Sequence, residues 1–521
     1  MFETPIFTSP LSRDKVGNDP LGLAPVNERL FNTLFPGVNN VVRYIRIYSA
    51  ICWSVRQIEC HLAEYGEGMK QSQVKKLSAH ALEKMQILLS WVNRGYYQMA
   101  GSRRQFPDHD DDVELLFSTF GSSSAALLSA VSYRPSLTSG LKFLVVRANG
   151  TFACTDAGRA LADAFDQHAR TSPGYEWLKD VTALTTTISK VEEISALLDV
   201  GHPSVLEKRA FLSRFYPEWH HELDTPSKHR RQAIDLALHT VRALVPKKKP
   251  DGTVNGVWVD TVRRGMAEAF QVPEPLVSIQ RCWAVLQLRQ LQRLALEVLF
   301  HHVECVIEDN QLKRQNRNVD DLAKHVSMIP GYFAELTGTV LDELRHLQSD
   351  YSTLYEATRG TDSSLFDLIQ SLLDTPIQLS SMSIRAALYA LIYCAQETIN
   401  LNAMETARHA ITPDNDACSL NKLAELVIEF EHSPLERLLE KLIKHWVILR
   451  HFQVAAERSQ VNDGKTRFWF VIGDRGLEPI PGNVRKIGIN VGGDRLWHIL
   501  ELCLQSGLLQ YDEECGFYPT E

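Results

Sequence analysis

Residues 501–521 read ELCLQSGLLQYDEECGFYPTE. The stretch decides how the rest of the chain is read. Asp494 is placed to cap a helix through "DRLWHILELCLQSG", and Gly507 falls where that helix should stop. Two short apolar runs, "LLQY" and "FYPT", then flank the acidic turn "DEECG". The order is helix, glycine stop, strand, turn, strand. Upstream, "RFWFVIG" (467–473) and "RKIGINV" (485–491) also read as strands.

A similar arrangement occurs earlier, in 141–165, "LKFLVVRANGTFACTDAGRALADAF". "KFLVVR" and "TFACT" are β-branched or aromatic runs joined by "ANG", a hairpin signal. "TDAGRALADAFDQHA" restarts as a helix, with Thr155 or Asp156 placed to cap it. Before the hairpin, "VELLFSTF" (113–120) and "SSAALLSAVS" (123–132) read as short helices. Short helices followed by a two-stranded hairpin resemble a winged-helix unit, so two such units are expected.

The remainder has helical periodicity. "VVRYIRIYSAICWSVRQIECHLAEY" (41–65) places Tyr44, Ile47, Ile51 and Val55 on one face. "FAELTGTVLDELRHLQSDYSTLY" (333–355) does the same with Val340, Leu344, Leu347, Tyr351 and Leu354. The stretch 277–313 is apolar on several faces and reads as a helix packed all round. Pro434 marks a break within 420–457. The expected fold is mainly α: multi-helix domains with two small winged-helix-like α+β units. The expected segments are an extended arm (1–40), a helical region (41–112), a winged-helix-like unit (113–174), a central helical domain (175–460) and a second winged-helix-like unit (461–521). The arm combines five prolines with Phe2, Ile6, Phe7, Leu21, Leu23, Phe31 and Phe35. It is too apolar for a solvated tail and is expected to dock on the helical body.

At 521 residues, 44% hydrophobic and 23% charged, the chain has the composition of a multi-domain globular protein. Nine scattered cysteines form no CxxC pair, which fits buried thiols in a reducing cytoplasm. The N-terminus "MFETPIFTSPLSRDK" lacks a basic start and apolar run. The longest apolar stretch, "IRAALYALIYCAQ" (384–396), reads as a buried core helix and falls short of the roughly 20 residues that span a bilayer. A cytoplasmic location and no membrane partner are expected.

A net charge of −8 argues against overall coating by nucleic acid, but it leaves room for a local basic face. A wing that touches phosphates needs Lys or Arg at its tip. The C-terminal tip carries Asp512, Glu513 and Glu514, and the first tip offers only Arg147. Residues 207–250 are the better basic segment, with ten Lys or Arg against five Asp or Glu. Nucleic acid, if bound, is expected at Arg230, Arg231, Lys247, Lys248 and Lys249. Arg103 and Arg104 form a smaller cluster.

Catalytic layouts are sparse. The chain has no GxxxxGK[ST], no GxSxG and no Glu-x-Lys. "DHDDD" (108–112) is the densest set of metal-ligating side chains, but helix capping accounts for it. "WHHEL" (His220, His221, Glu222) and "FHHVEC" (His301, His302, Glu304, Cys305) lack the HExxH spacing. No catalytic residue, metal or cofactor is assigned.

The stretch "DPLGLAPVNERLFNTLFPGVNNVVRYIRIYSAICW" (19–53) resembles the N-terminus of uncharacterised bacterial helical proteins encoded near phage-defence or restriction genes. Winged-helix units joined by helices are also similar to kleisin-type subunits of SMC complexes. The expected function is a non-enzymatic scaffold or adaptor subunit of a cytoplasmic multi-protein assembly, in a DNA-associated antiviral defence setting, with other protein subunits as partners. Two alternatives stand beside it. One is a metal-dependent nuclease or phosphohydrolase using Asp108, His109 and Asp110; the other is a kleisin-like subunit.

Overall fold

The computed structural model describes residues 19–97, 99, 105–107, 113–120, 127–220, 222–245, 256–267, 272–328, 339–340, 381–402, 417–459, 468–480 and 493–520. The longer helices are α1 (Ala24–Leu34), α2 (Ile45–Tyr65), α3 (Gln71–Val92), α4 (Asp156–Ala169), α5 (Val205–Phe215), α6 (Thr225–Leu244) and α7 (Val259–Ala267). They continue as α8 (Glu274–Leu312), α9 (Val319–Ser327), α10 (Ser381–Asn402), α11 (Leu420–Glu429), α12 (Leu435–Lys441), α13 (Leu449–Ser459) and α14 (Leu496–Ser506). The strands are β1 (Leu115–Leu116), β2 (Leu144–Val146), β3 (Phe152–Cys154), β4 (Thr185–Thr186), β5 (Phe470–Gly473), β6 (Gly476–Pro479), β7 (Leu509–Asp512) and β8 (Gly516–Pro519). They pair as antiparallel two-stranded ribbons, β1 with β4, β2 with β3, β5 with β6 and β7 with β8. The class is therefore mainly α with small β ribbons, as the periodicity predicts. Among the described residues, no helix is long and apolar enough to cross a membrane.

The chain divides into two compact units, each discontinuous in sequence. One comprises Met1–Leu30 and Gln280–Gly492; the other comprises Phe31–Ile279 and Gly493–Glu521. These boundaries differ from the five sequential segments expected. The segment 175–460 is shared between the units, and so is 461–521.

The unit built from 31–279 and 493–521 centres on α2. Every residue from Ile45 to Val55 is buried, so this helix is packed all round at its N-terminal end. It packs against α3, α4 and α5. The β2–β3 hairpin forms as expected, with Leu144 opposite Cys154 and Gly150 in the left-handed conformation at its turn. Thr155 is the N-cap of α4, accepting the Gly158 N–H at 3.1 Å. Gly158 is required there, because a Cβ would lie 2.0 Å from the Phe143 carbonyl oxygen.

Two expected helices do not form among the described residues. "VELLFSTF" becomes strand β1 followed by a 3-10 turn, Phe117–Phe120. Its partner strand β4 lies outside the expected 113–174 unit, so pairing across about seventy residues overrides local propensity. The described part of "SSAALLSAVS", residues 127–132, forms turns.

The C-terminal elements follow the predicted order. The Leu496 N–H donates to Asp494 at 3.1 Å, and Gly507 closes α14 in the left-handed conformation. Leu509 and Phe517 are buried, Leu508 and Tyr518 are half-buried, and Asp512, Glu513 and Glu514 are exposed at the turn. A third strand position comes from far upstream. Val257 exchanges both backbone hydrogen bonds with Phe517, at 2.8 and 2.9 Å. Helix α7 packs on α6 and α14, and α6 packs on β8. The C-terminal helix and hairpin therefore complete a module begun at α6 and α7.

The other unit is helical around one continuous core. Leu294, Leu299, Phe300 and Val303 of α8 join Leu388, Leu391 and Tyr393 of α10. Leu423, Val427, Leu438 and Ile443 complete the same cluster. Pro434 breaks the chain between α11 and α12, as expected, and serves as the N-cap of α12. The ribbon β5–β6 belongs to this unit, with Phe470 and Leu477 in its core. "RKIGINV" lies outside the described residues, as does most of 333–355.

The described end of the arm docks here. Leu21 and Leu23 are fully buried in this core. Arg450 Nε donates to the Leu21 carbonyl at 2.9 Å, and Arg458 pairs with Asp19 at 2.9 Å. Buried His451 donates from Nδ1 to the Pro20 carbonyl at 3.2 Å and accepts the Trp469 N–H on Nε2 at 3.0 Å. That pair of bonds fixes a neutral imidazole with its proton on Nδ1.

Candidate functional site

Helix α5 is held by its inner face. Ser204 and Glu207 form a reciprocal capping box, and Glu207, Phe211 and Phe215 point inward at steps of four. Glu207 is completely buried and pairs with equally buried Arg46 at 2.9 Å. Its carboxylate also accepts from Ser49 Oγ and from the Ser204 N–H. Burial pushes the Glu207 pKa up, but His168, Arg46, Ser49 and the Ser204 N–H together hold it below the usual carboxylate range. Arg46 also donates to the carbonyls of Leu197 and His202. This network ties α2, α5 and the loop before α5 into one block.

With the inner face fixed, the opposite face of α5 is determined. Val205, Lys208, Arg209, Leu212, Ser213 and Tyr216 line a groove of about 730 Å³, together with Pro217, Glu218 and His220. Ser506, the last residue of α14, also lines it. Val205 is 73% exposed, and neighbouring Leu206 and Trp219 are also exposed. The Tyr216 ring is fixed from behind. Its hydroxyl donates to Asp235, and the Arg231 guanidinium lies 3.6 Å from the ring centroid. Burial, together with Asp235, raises the Tyr216 pKa, so the phenol stays protonated.

The residues expected to contact nucleic acid are placed as follows. Arg230 is 1% exposed and donates to the carbonyls of Phe215 (3.0 Å), Pro36 (2.8 Å) and Arg214 (2.6 Å). It caps the C-terminus of α5 and faces inward, which corrects the expectation of a solvent-facing phosphate ligand. Burial lowers its pKa to about 10, so it keeps its charge at neutral pH. Arg231 is bound to Asp235 at 3.0 Å and to the Pro217 carbonyl at 2.6 Å. Lys247, Lys248 and Lys249 lie outside the described residues, as do Arg103, Arg104 and the 108–112 cluster. At the tip of the first hairpin, Arg147 pairs with Glu59 at 2.9 Å.

His220 is exposed in the groove lining, and His221 lies outside the described residues. His301 and His302 are buried on α8; burial, then neighbouring His301, pushes His302 down to about 3. His301 lies 3.6 Å from Glu304 and 3.7 Å from Cys305 Sγ. Among the described residues, no group of three or more His, Cys, Asp or Glu could hold a metal ion.

Sequence reasoning missed the face carrying Lys208 and Arg209, neither of which makes an ion pair among the described residues. The signal was present. Once Glu207, Phe211 and Phe215 are read as the inner stripe, 205, 209, 212 and 216 turn away from it and 208 falls at its edge on a 3.6-residue turn.

No protein-family model, no curated protein and no solved structure matches this chain.

Proposed function

We propose that the chain is a scaffold or adaptor subunit of a cytoplasmic multi-protein assembly, acting by binding rather than by turnover. The sequence α6, Val257 bridge, α7, α14, β7, β8 follows the helix–strand–helix–helix–strand–strand order of a winged helix. In a DNA reader of that class the helix before the hairpin enters the major groove. Here that helix is α14, and its burial is the observation that carries the reading. Leu496, His498, Ile499, Leu500, Leu502, Cys503 and Ser506 are all buried. Gln505 accepts the first N–H of α2 at 2.8 Å and donates to the Val200 carbonyl at 3.2 Å. Glu501 lies 3.4 Å from Arg43. The module's reading helix is thus engaged within the chain and withdrawn from a DNA groove, and its turn is acidic, which supports a binding role other than DNA reading. The setting, a DNA-associated bacterial defence system, rests on the resemblance of residues 19–53.

The test is tagged purification of the full chain from its native host, with mass spectrometry, metal analysis and assays on DNA and nucleotides. A stoichiometric partner protein is expected. Stoichiometric metal together with turnover abolished by Asp110→Ala would overturn the adaptor reading in favour of a nuclease or phosphohydrolase.

A further inference from the structure

We propose that the α5 groove is the docking face for an acidic amphipathic helix of a partner protein. This rests on the adaptor reading and names its partner surface. The groove combines an apolar stripe with cations on both sides. Val205, Leu212 and Tyr216 stand at i, i+7 and i+11, which spans roughly 16 Å at 1.5 Å per residue, about three turns of a facing helix. Lys208 and Arg209 flank that stripe, His220 also lines the groove, and Glu218 is the one carboxylate among the described lining residues. A β-branched residue exposed to 73% at the head of the stripe, with exposed Leu206 and Trp219 nearby, is apolar surface of the kind that marks interaction sites.

Two features select the occupant. The apolar stripe demands a partner with its own apolar face, as in helix-in-groove recognition. The flanking cations select acidic residues beside that face and reject a basic one. Nucleic acid fits less well, because Arg230 and Arg231 are held by internal carbonyls and Asp235. Among the described residues that leaves two lysine or arginine side chains in the groove, where phosphate-backbone binding draws its affinity from many. The rigid inner block, Arg46 with Glu207 and Arg230 with three carbonyls, holds the face in place before the partner arrives.

The test uses the full chain in its native host with benzoylphenylalanine incorporated at position 205. On illumination, cross-linked peptides are expected to be acidic, with apolar residues at helical spacing. K208E/R209E should cut the cross-link yield by roughly fivefold or more without changing the melting temperature, since Arg209 is exposed, Lys208 is half-buried and neither makes an ion pair among the described residues. Cross-links to basic peptides or to nucleic acid, or a yield no higher than at an exposed control position such as Tyr96, would overturn the proposal. So would a K208E/R209E yield equal to wild type. If partner proteins still co-purify while position 205 stays silent, the adaptor reading stands and this face is excluded.

Discussion

Val257 and Phe517 pair as two residues of one sheet, 2.8 and 2.9 Å across their two hydrogen bonds, although 260 positions separate them in sequence. Gly256 and Gly516 permit the approach: a Cβ on Gly256 would lie 2.5 Å from the Cys515 carbonyl oxygen, and Gly516 has φ +92°. Phe517 is 1% exposed and packs against Trp497 and Tyr511. Phe517→Ala should therefore cost about 3–5 kcal/mol in denaturant unfolding. Hydrogen exchange should speed up at Val257 and α7 as well as at the hairpin. Exchange confined to 509–519 would show that the bridge contributes little.

The Arg46–Glu207 pair predicts a non-additive cycle. Glu207→Leu alone strands a buried guanidinium and should cost about 3–5 kcal/mol. Adding Arg46→Met removes the stranded charge, so the double variant should be less damaged than the sum of the singles. Urea titrations of the four proteins measure the coupling; additivity would contradict the ion-pair account.

Around α14 the pH dependence has two opposing limbs. Burial raises Glu501 to about 7, with Arg43 and Trp497 partly opposing it. The folded state then holds this proton more tightly than the unfolded state, so Glu501 removes stability as pH rises from about 4.5 through 7. Burial lowers His498 to about 4, reinforced by Arg43 and Arg495 and opposed by Asp494. Both its ring nitrogens lack a hydrogen-bond partner. The unfolded state binds that proton first, so His498 removes stability as pH falls from about 6.5 through 4. Glu501→Gln should therefore gain on wild type between pH 5 and pH 8, by on the order of 2–3 kcal/mol. A constant stability difference across that range, from thermal melts, would refute the assignment.

Deleting residues 2–24 should lower the melting temperature of the isolated chain. The deletion removes buried Leu21 and Leu23 and the Asp19–Arg458 pair. Leu21→Ala alone should cost about 2–5 kcal/mol. If stability is unchanged while complex formation is lost, the arm serves a partner instead.

Local sequence made some of this visible and concealed the rest. The β2–β3 hairpin was legible because "VVRANGTF" holds both strands and their turn within a few residues. Helix α10 was legible because its apolar content has no strand-like alternation and no proline. Strand β1 was not, since Leu115 and Leu116 suit a helix and the partner Thr185–Thr186 lies far along the chain. Arg230 was misplaced by reading charge density in "KHRRQ" ahead of periodicity. It stands at the head of the buried stripe Ala233, Ile234, Ala237 and Val241, so the 3.6-residue period already pointed it inward. The groove required knowing which face of α5 Arg46 would claim, and Arg46 lies more than 150 residues upstream.

The interleaving of the two units also sets an order of events at the ribosome. When α7 has emerged, its neighbours α14 and β8 have not yet been translated, and about 250 codons remain before Phe517. At 5–20 residues per second, the nascent chain carries an unfinished module for roughly 10–50 s, with α6 lacking β8 and α7 lacking α14. Throughout that interval α7, with Val262 and Met266 that are buried in the finished chain, lacks the α14 surface it packs on and is open to chaperones and to misassociation. Residues 493–521 act as a latch, and a stop codon before them would release a chain whose earlier-made module lacks α14 and the β7–β8 hairpin.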